Sequence, residues 1–253
     1  MKKTLGIILS GIIFFPFLLL LGLSVGKDWR FPDVLPGEWT LDHWSELFQL
    51  QGDLTQSLLL SLGISLLVAT LSTVIGFITS KYIAYHPKKK TLLALAYFPY
   101  VLAPIIYAAV LYFYFIVLGL SGNFFGVVIG QMIIAYPFAV IIFVGYWNKR
   151  MQAMEQLVYT LGGTPWQAYQ KVLFPVSKGI LMVCFFQTFL ISWFEYGLTM
   201  LIGVGKIQTL TLKVFHYVNE ANIYHAALAS CLLFLPPWIL ILINKRIVFR
   251  TES

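Results

Sequence analysis

The sequence predicts an all-α integral membrane protein with six transmembrane helices. Hydrophobic residues make up 59% of the 253 residues and charged residues only 11%, whereas a soluble domain of this size carries about 25% charged residues. The apolar residues form runs long enough to cross ~30 Å of hydrocarbon. Short basic clusters separate these runs, as in the cytoplasmic loops of membrane proteins. The net charge of +7 is therefore explained by basic clusters that orient the chain in membrane lipid. We expect no nucleic-acid partner.

The apolar runs define six predicted spans within a single domain, residues 1–253. Their approximate bounds are residues 4–26, 54–83, 92–118, 127–147, 179–202 and 225–244. Basic residues are concentrated at both ends of the chain and in the segment of residues 148–178. Both termini and this segment are therefore predicted to be cytoplasmic. The first run could also be a cleavable signal peptide, but it is longer than the usual apolar region of one.

The second span has a small side chain at every fourth residue, namely Ser57, Ser61, Ser65, Ala69 and Thr73. This spacing places them on one helix face, and such a face lets two helix backbones approach closely in lipid. The alternative is that the hydroxyl groups bond back to their own helix, which would not require the spacing. We therefore predict a close helix contact along this face.

Four residues in or near the spans are candidates for lining a transport pathway: Glu195, Tyr196, Tyr107 and Gln131. Glu195 is the only acid inside a predicted span, and an ionisable residue there is costly, so a function is the first hypothesis. It could instead form a hydrogen bond to another helix near the outer interface. Tyr107 lies in a span that Pro99 and Pro104 are expected to kink. That span could equally be a packing helix with interfacial tyrosines.

No catalytic or metal-binding pattern is recognisable in the sequence. The four histidines are scattered, and Cys184 and Cys231 lie in apolar runs without the spacing of metal ligands. The segment Gly203–Lys206 lacks the Ser or Thr that follows the lysine in a phosphate-binding loop. We therefore expect no enzyme activity, no metal and no cofactor in this chain.

A polar segment from Glu155 to Pro175 lies between the fourth and fifth predicted spans. Its first part is predicted to form a short helix, and Gly162-Gly163 follows as the turn that ends it. A compact folded element between two spans is typically presented to a partner, so this segment is the main candidate for an interaction site.

The second half of this segment has the pattern of a capped helix. Thr164 is suited to the N-cap position, Pro165 to the first helical position, and Gln167 stands three residues after the cap. Together they predict a capping box. The helix is predicted to end near Val172, because Pro175 disfavours helical geometry at the residue before it.

The segment resembles the EAA loop in permease subunits of binding-protein-dependent ABC importers. In that family a Glu-Ala-Ala helix is followed by a glycine, a turn, a second short helix and a Leu-Pro pair. Gly162 and Pro175 stand at the family's separation, and Leu161–Ala168, LGGTPWQA, is similar to the common form LGASPWQA. The first part departs from the family, since Gln156 occupies the position of its Glu and Glu155 precedes it.

The resemblance implies the type I ABC importer permease fold and a multi-pass protein of the cell inner membrane. It implies that residues 148–178, here called the coupling loop, dock on a cytoplasmic ATPase dimer that binds ATP and Mg. A second permease, identical or homologous, and a periplasmic or surface-tethered substrate-binding protein would complete the importer. The residues expected to couple to the ATPase are Glu155, Gln156, Leu161, Gly162, Gly163, Thr164, Pro165, Trp166, Tyr169 and Pro175.

A second resemblance concerns the substrate. The sequences Glu195–Thr199, Leu201–Lys206 and Thr209-Leu210 are similar to the subgroup that imports polyamines, ferric iron, thiamine, sulfate or molybdate. This resemblance implies a small solute of that kind. The alternative function is a secondary carrier or channel subunit that no ABC ATPase drives. A carrier would need internal repeats and paired intramembrane charges, and the sequence shows neither clearly.

Overall fold

The computed structural model describes residues 2–27, 36–45, 52–101 and 104–248. Residues 102–103 of the third predicted span and the end of the basic C-terminal tail lie outside the described residues. Helices form most of the described chain. Their bounds, with those of two short strands, are α1 Lys2–Ser24, β1 Gly26–Lys27, β2 Glu38–Trp39, α2 Asp42–Ser45, α3 Asp53–Tyr85, α4 Lys89–Tyr97, α5 Pro104–Val117, α6 Phe124–Tyr146, α7 Lys149–Thr160, α8 Pro165–Gln167, α9 Phe174–Val176, α10 Lys178–Trp193, α11 Gly197–Gly203, α12 Leu210–Asn219 and α13 Ile223–Val248.

The chain folds into two compact units. Unit 1 consists of Met1–Leu62 and Gln208–Ile239, and unit 2 consists of Gly63–Ile207 and Leu240–Ser253. Helices α3 and α13 each contribute residues to both units. The coupling loop and all four candidate pathway residues belong to unit 2.

In unit 1, the stretch after α1 is fixed by a small antiparallel ribbon of β1 and β2. Next to the ribbon, the indole Nε1 of Trp44 donates a hydrogen bond to Ser24 Oγ at 3.3 Å. The rings of Phe17 and Phe234 lie 4.6 Å apart between centroids, so α1 packs against α13. These contacts hold α1, the ribbon, α2 and α13 together within unit 1.

In unit 2, α6 approaches its neighbours closely at two glycine contacts. A Cβ atom on Gly76 of α3 would lie 2.7 Å from the Cβ of Ala139. A Cβ atom on Gly130 would lie 2.6 Å from Ile202 Cδ1. At Gly76 the contact is with the rigid Cβ of an alanine, so glycine is required for α3 and α6 to pack as they do, whereas at Gly130 the end of the Ile202 side chain would have to move.

The small face predicted for α3 is buried along its whole length. The hydroxyl groups of Thr73 and Thr188 lie 3.4 Å apart, and those of Ser65 and Ser192 lie 3.2 Å apart. Both pairs join α3 to α10 within unit 2. The predicted close helix contact is therefore confirmed, and it includes hydrogen bonds between the helices.

Three described helices are long and apolar enough to cross a membrane, namely Asp53–Tyr85, Phe124–Tyr146 and Ile223–Leu242. Pro165–Val176 and Lys178–Trp193 meet the same criteria only as a pair, and the pair is bent by 78°. The described part of the chain therefore offers three or four candidate spans. The six spans and the cytoplasmic termini remain predictions.

Two predicted spans are interrupted in the structure. The third contains a 3₁₀ turn at Phe98–Tyr100 between α4 and α5, at the prolines that were expected to disturb the helix. In the fifth, the sequence predicts a continuous helix over residues 179–202, but α10 ends at Trp193 and α11 begins at Gly197. Glu195 lies in this second break.

Candidate functional site

The first helix of the coupling loop, α7, begins at a side-chain cap. Asn148 Oδ1 accepts hydrogen bonds from the backbone N–H groups of Arg150 and Met151 at 3.0 and 3.1 Å. The cap satisfies two of the donors that a helix N-terminus leaves without partners. Because of this cap, α7 starts at Lys149, well before the helix that the sequence predicts from Glu155 onward.

The C-terminal end of α7 is a glycine turn of the Schellman type. Gly162 has a φ of +78°, in the left-handed region that glycine adopts without strain. Its N–H donates to the Tyr159 carbonyl at 3.0 Å, and the N–H of Gly163 donates to the Val158 carbonyl at 2.9 Å. A Cβ atom on Gly163 would lie only 2.4 Å from Val158 Cγ1. The predicted Gly-Gly turn is confirmed, and both glycines are required by the geometry.

The capping box predicted for the second helix is also confirmed. Thr164 Oγ1 accepts from the Gln167 backbone N–H at 3.3 Å. In return, the Thr164 N–H donates to Gln167 Oε1 at 2.9 Å. Pro165 occupies the first helical position, where its missing N–H costs nothing. The two helices are therefore joined by a turn with fixed geometry.

The predicted end of the second helix near Val172 is wrong. Residues Ala168–Leu173 form a π-helix, and helical geometry continues through Phe174 to Val176. In the π-helix the N–H of Phe174 donates to the Tyr169 carbonyl, five residues earlier. This wider turn moves the carbonyl that would otherwise clash with the ring of Pro175. The proline is thus accommodated inside the helical segment.

The coupling loop rests on a cluster of apolar side chains that we call the apolar seat. Trp147, the residue between α6 and the loop, donates a hydrogen bond from its Nε1 to Ser80 Oγ of α3 at 2.8 Å. The ring of Phe174 lies 5.2 Å from that of Phe77 in α3. The buried members of the seat come from α3, from α6 with the residue that follows it, from the loop and from α10, and they are Phe77, Ala139, Phe143, Trp147, Met151, Leu173 and Cys184. The loop and the adjoining helix ends therefore form one packed body.

The part of the loop around the glycine turn is exposed and apolar. Leu161 is 80% exposed, Trp166 68%, Leu157 61% and Tyr159 41%. We call these four residues the exposed tip. Large exposed apolar side chains grouped in one place mark interaction surfaces. The tip is held in shape by the glycine turn and the capping box, so a partner would meet a rigid surface.

The ten predicted coupling residues divide into an exposed majority and an inner group. Gly163 and Tyr169 are half-buried, and Glu155 is buried. The exposed residues are Gln156, Leu161, Gly162, Thr164, Pro165, Trp166 and Pro175. The sequence resemblance alone does not separate these two groups, because it carries no information about which helix face is packed.

Glu155 is directed into the protein and pairs with a lysine from α3. Its Oε1 atom bonds to Lys81 Nζ and accepts a hydrogen bond from Tyr159 Oη at 2.5 Å. The Lys81 ammonium also lies 4.6 Å from the ring centroid of Tyr169, a cation–π distance. The sequence analysis does not identify the partner Lys81, although a lysine inside the predicted span of residues 54–83 is a possible signal.

The ion pair changes the chemistry of the two tyrosines beside it. The hydrogen bond to Glu155, followed by burial, raises the pKa of Tyr159 to about 12. Burial, followed by the charge of Glu155, raises the pKa of Tyr169 to about 12. The raised pKa values keep both phenols protonated well into the alkaline range, so Tyr159 remains a hydrogen-bond donor there.

Glu195, a candidate pathway residue, caps the short helix α11. Its Oε1 accepts from the Leu198 backbone N–H at 2.6 Å. Its Oε2 accepts from the N–H and the hydroxyl of Thr199 at 2.8 and 2.6 Å. A carboxylate at a helix N-terminus is favoured by the helix dipole. Gly197, an interruption of the apolar run, was the sequence signal for this break.

Gln131 is joined to Glu195 by hydrogen bonds through Thr199. Its Nε2 donates to Thr199 Oγ1 at 2.9 Å, and its Oε1 accepts from Ser192 Oγ at 2.5 Å. The amide is only 2% exposed. This buried polar network links α6, α10 and α11. The other two candidate pathway residues, Tyr107 and Tyr196, are half-buried.

The residues that the structure describes contain no group of three or more His, Cys, Asp or Glu side chains that could hold a metal ion. Cys184 and Cys231 are free, buried thiols. Cys184 belongs to the apolar seat under the coupling loop.

No family model matches the sequence, but individual proteins do. The chain is 29% identical to the maltose/maltodextrin transport system permease protein of Escherichia coli strain K12, covering 92% of this chain and 87% of that protein. It is 24% identical to the trehalose transport system permease protein of Mycobacterium tuberculosis strain CDC 1551 / Oshkosh, covering 80% and 75%. The fold is similar to that of a bacterial ABC transporter involved in the import of the acidic polysaccharide alginate, with a TM-score of 0.69, 14% identity and coverage of 100% and 95%.

These similarities support an ABC importer permease, as the resemblance of the coupling loop implies. Permease subunits are not enzymes themselves, and the ATPase activity of such importers lies in a partner subunit. The similarities and the apolar helices point to a multi-pass inner membrane protein. They do not support the polyamine, ferric iron and thiamine subgroup, because the relatives are named for maltose, maltodextrin and trehalose transport.

Proposed function

We propose that this protein is the permease subunit of a binding-protein-dependent ABC importer and that it transports a sugar. The observation that carries the proposal is the exposed tip, four apolar side chains held on a rigid turn above the buried apolar seat. The similarity to sugar permeases over most of the chain supports the same function.

The proposed mechanism is mechanical and needs no chemistry in this chain. A cytoplasmic ATPase dimer, which binds ATP and Mg, docks on the exposed tip, with Trp166 as the principal anchor because aromatic side chains dominate interface energies. Closure of the dimer moves the coupling loop. Since the loop packs on α3, α6 and α10 through the apolar seat, those helices move with it. Rocking of the helices then switches access to the pathway from one side to the other.

The proposed arrangement places the coupling loop and both termini in the cytoplasm, in accord with the positive-inside rule. One copy cannot enclose a symmetric pathway, so a second permease, identical or homologous, forms the other half. A periplasmic or surface-tethered binding protein delivers the sugar to the outer segments, including residues 203–224. This arrangement has the same parts that the sequence resemblance implies.

Two observations favour a sugar over a polyamine. The relatives are named for maltose, maltodextrin and trehalose transport, and the structural neighbour for import of alginate. In addition, the Glu195 carboxylate already accepts three hydrogen bonds from Leu198 and Thr199. A carboxylate engaged in this way is a poor counter-ion for a cationic substrate, because binding would require it to give up charge-assisted bonds.

The test is reconstitution of the permease with its ATPase and binding protein in liposomes. We expect ATP-dependent uptake of labelled maltose, trehalose or an alginate oligosaccharide, and no uptake of spermidine or thiamine. Uptake of spermidine or thiamine without any sugar uptake would contradict the sugar proposal. Uptake by the permease alone, without ATPase or ATP, would contradict the importer proposal and establish the secondary carrier.

A further inference from the structure

The junction between the coupling loop and α3 contains a largely buried ion pair. The side chains of Lys81 and Glu155 are only 14% and 10% exposed, and they bond to each other directly. Tyr159 Oη donates a second hydrogen bond to the same carboxylate oxygen at 2.5 Å. A charged pair of this kind has a strong directional preference, and loss of one partner would leave the other charge buried without compensation.

Three segments of the chain meet at the Lys81 ammonium group. Lys81 lies one helical turn after Phe77, so both face the coupling loop from the same side of α3. Phe77 belongs to the apolar seat. Glu155 belongs to α7, and Tyr169, whose ring centroid is 4.6 Å from Lys81 Nζ, belongs to the π-helix. We call Lys81, Glu155, Tyr159 and Tyr169 the ion-pair junction.

We propose that the Lys81–Glu155 ion pair is the positioning contact that makes α3 follow the coupling loop during transport. The proposal rests on the function proposed above. Apolar contacts of the seat hold the loop against α3 but are non-directional, and the hydrogen bond that Tyr85 Oη of α3 donates to the Asn148 carbonyl at 3.3 Å acts at the start of α7. The ion pair and its two tyrosines fix the rotation of α7 relative to α3.

The positions of Gln156 and Glu155 relative to the family's motif support a positioning role for the ion pair. Gln156 occupies the position of the family's glutamate and is exposed, so a docked ATPase meets an uncharged side chain there. The acid stands one residue earlier, on the packed face of α7, where it bonds within the chain. In the family the glutamate is expected to contact the ATPase. In this chain the acid, Glu155, lies on the inner face of the same helix and pairs with Lys81.

Removal of the ion pair is expected to affect the coupling of ATP hydrolysis to transport but not the binding of the ATPase. The exposed tip shares Tyr159 with the ion-pair junction but not Lys81 or Glu155, and its most exposed side chains, Leu161 and Trp166, lie beyond the junction, so the ATPase still docks. Its motion, however, is passed to α3 with less precision, so more ATP is hydrolysed for each sugar molecule transported. A conservative estimate is an increase of about tenfold in the ratio of ATP hydrolysed to sugar transported.

The experiment compares three variants of the reconstituted importer. Lys81→Met/Glu155→Gln removes both charges and so leaves none unpaired, while Lys81→Glu/Glu155→Lys reverses the pair. The third variant, Glu155→Gln, removes only the acid and leaves Lys81 without its ionic partner. We expect the neutral double variant and Glu155→Gln to raise the ratio of ATP to sugar about tenfold with ATPase binding within about twofold of wild type. The reversed pair should restore the ratio to within about threefold of wild type.

Lys171→Met is the matched control, because Lys171 is an exposed lysine on the same π-helix. It should leave the ratio unchanged. A wild-type ratio in the neutral double variant would overturn the proposal, and so would a reversed pair that folds but stays uncoupled. A wild-type complex that transports no sugar with ATP would contradict the proposed function itself, so the two failures are distinguishable.

Discussion

The two acidic residues that stand out in unit 2 are both held by partners within the chain, but the partners are of different kinds. Glu155 in the coupling loop is paired with a cation, Lys81, from another helix. Glu195 in the helix break is held by backbone N–H groups and a hydroxyl group of the helix that it caps. The first carboxylate joins two elements of the fold, whereas the second mainly stabilises a local turn.

The difference bears on how an acid in a membrane protein is interpreted. An ionisable residue within a span is a functional hypothesis because its burial is costly. At Glu195 a helix N-terminus offsets that cost, so the charge alone gives no evidence of contact with substrate. At Glu155 a second charge offsets the cost, and the loss of either partner affects the contact between the loop and α3.

The largest expected effect is from Lys81→Met. This change leaves the Glu155 carboxylate buried without a cation, so it should lower the free energy of unfolding by about 3 kcal/mol or more. Chemical unfolding of the purified protein in detergent measures the change. The double variant Lys81→Met/Glu155→Gln should recover most of the lost stability. Equal stability of Lys81→Met and wild type would show that the ion pair is not buried in the protein.

The next effect is from Glu195→Gln. The amide keeps one acceptor oxygen, but its NH₂ group faces a backbone N–H donor of α11. We therefore expect the free energy of unfolding to fall by about 2 kcal/mol. Transport affinity for the proposed sugar substrate should stay within about threefold of wild type, because the carboxylate is engaged with α11. A large fall in substrate affinity with unchanged stability would instead make Glu195 a pathway residue, as the sequence suggests.

A smaller effect is expected from Gly162→Ala, which tests the turn beside Glu155. The φ of +78° is strained for alanine, so the free energy of unfolding should fall by about 1 kcal/mol. Gly179→Ala is the control, since Gly179 lies in α10 with open space around it. That change should be neutral or slightly stabilising. Equal effects at both glycines would argue against the Schellman turn.

The local structure of the coupling loop could be predicted from the sequence because it depends on neighbouring residues. The glycine turn and the Thr164–Gln167 capping box follow from backbone conformation and side-chain reach. The small face of α3 follows from regular spacing. The π-helix that accommodates Pro175 could not be predicted, because the tertiary packing of Leu173 and Phe174 stabilises it.

The partners of the two acids could not be predicted for a related reason. Lys81 and Glu155 are far apart in the sequence, and their pairing depends on how α7 packs on α3. Glu195 was assigned to a continuous span, since an apolar run gives no sign of a helix end except Gly197. The substrate class was also beyond the sequence motifs: the relatives are named for maltose, maltodextrin and trehalose transport, and they do not support the polyamine-like subgroup that the motifs resemble.

The most direct test of the central claim is the affinity of the cytoplasmic ATPase for the Trp166→Ala variant. Phe125 is the matched control, because both aromatic side chains are 68% exposed and Phe125 lies at the end of α6 far from the loop. Both changes should leave folding unaffected. Trp166→Ala should weaken ATPase binding by about 30-fold, and Phe125→Ala should not change it. Unchanged binding in Trp166→Ala would contradict the assignment of the exposed tip as the docking surface.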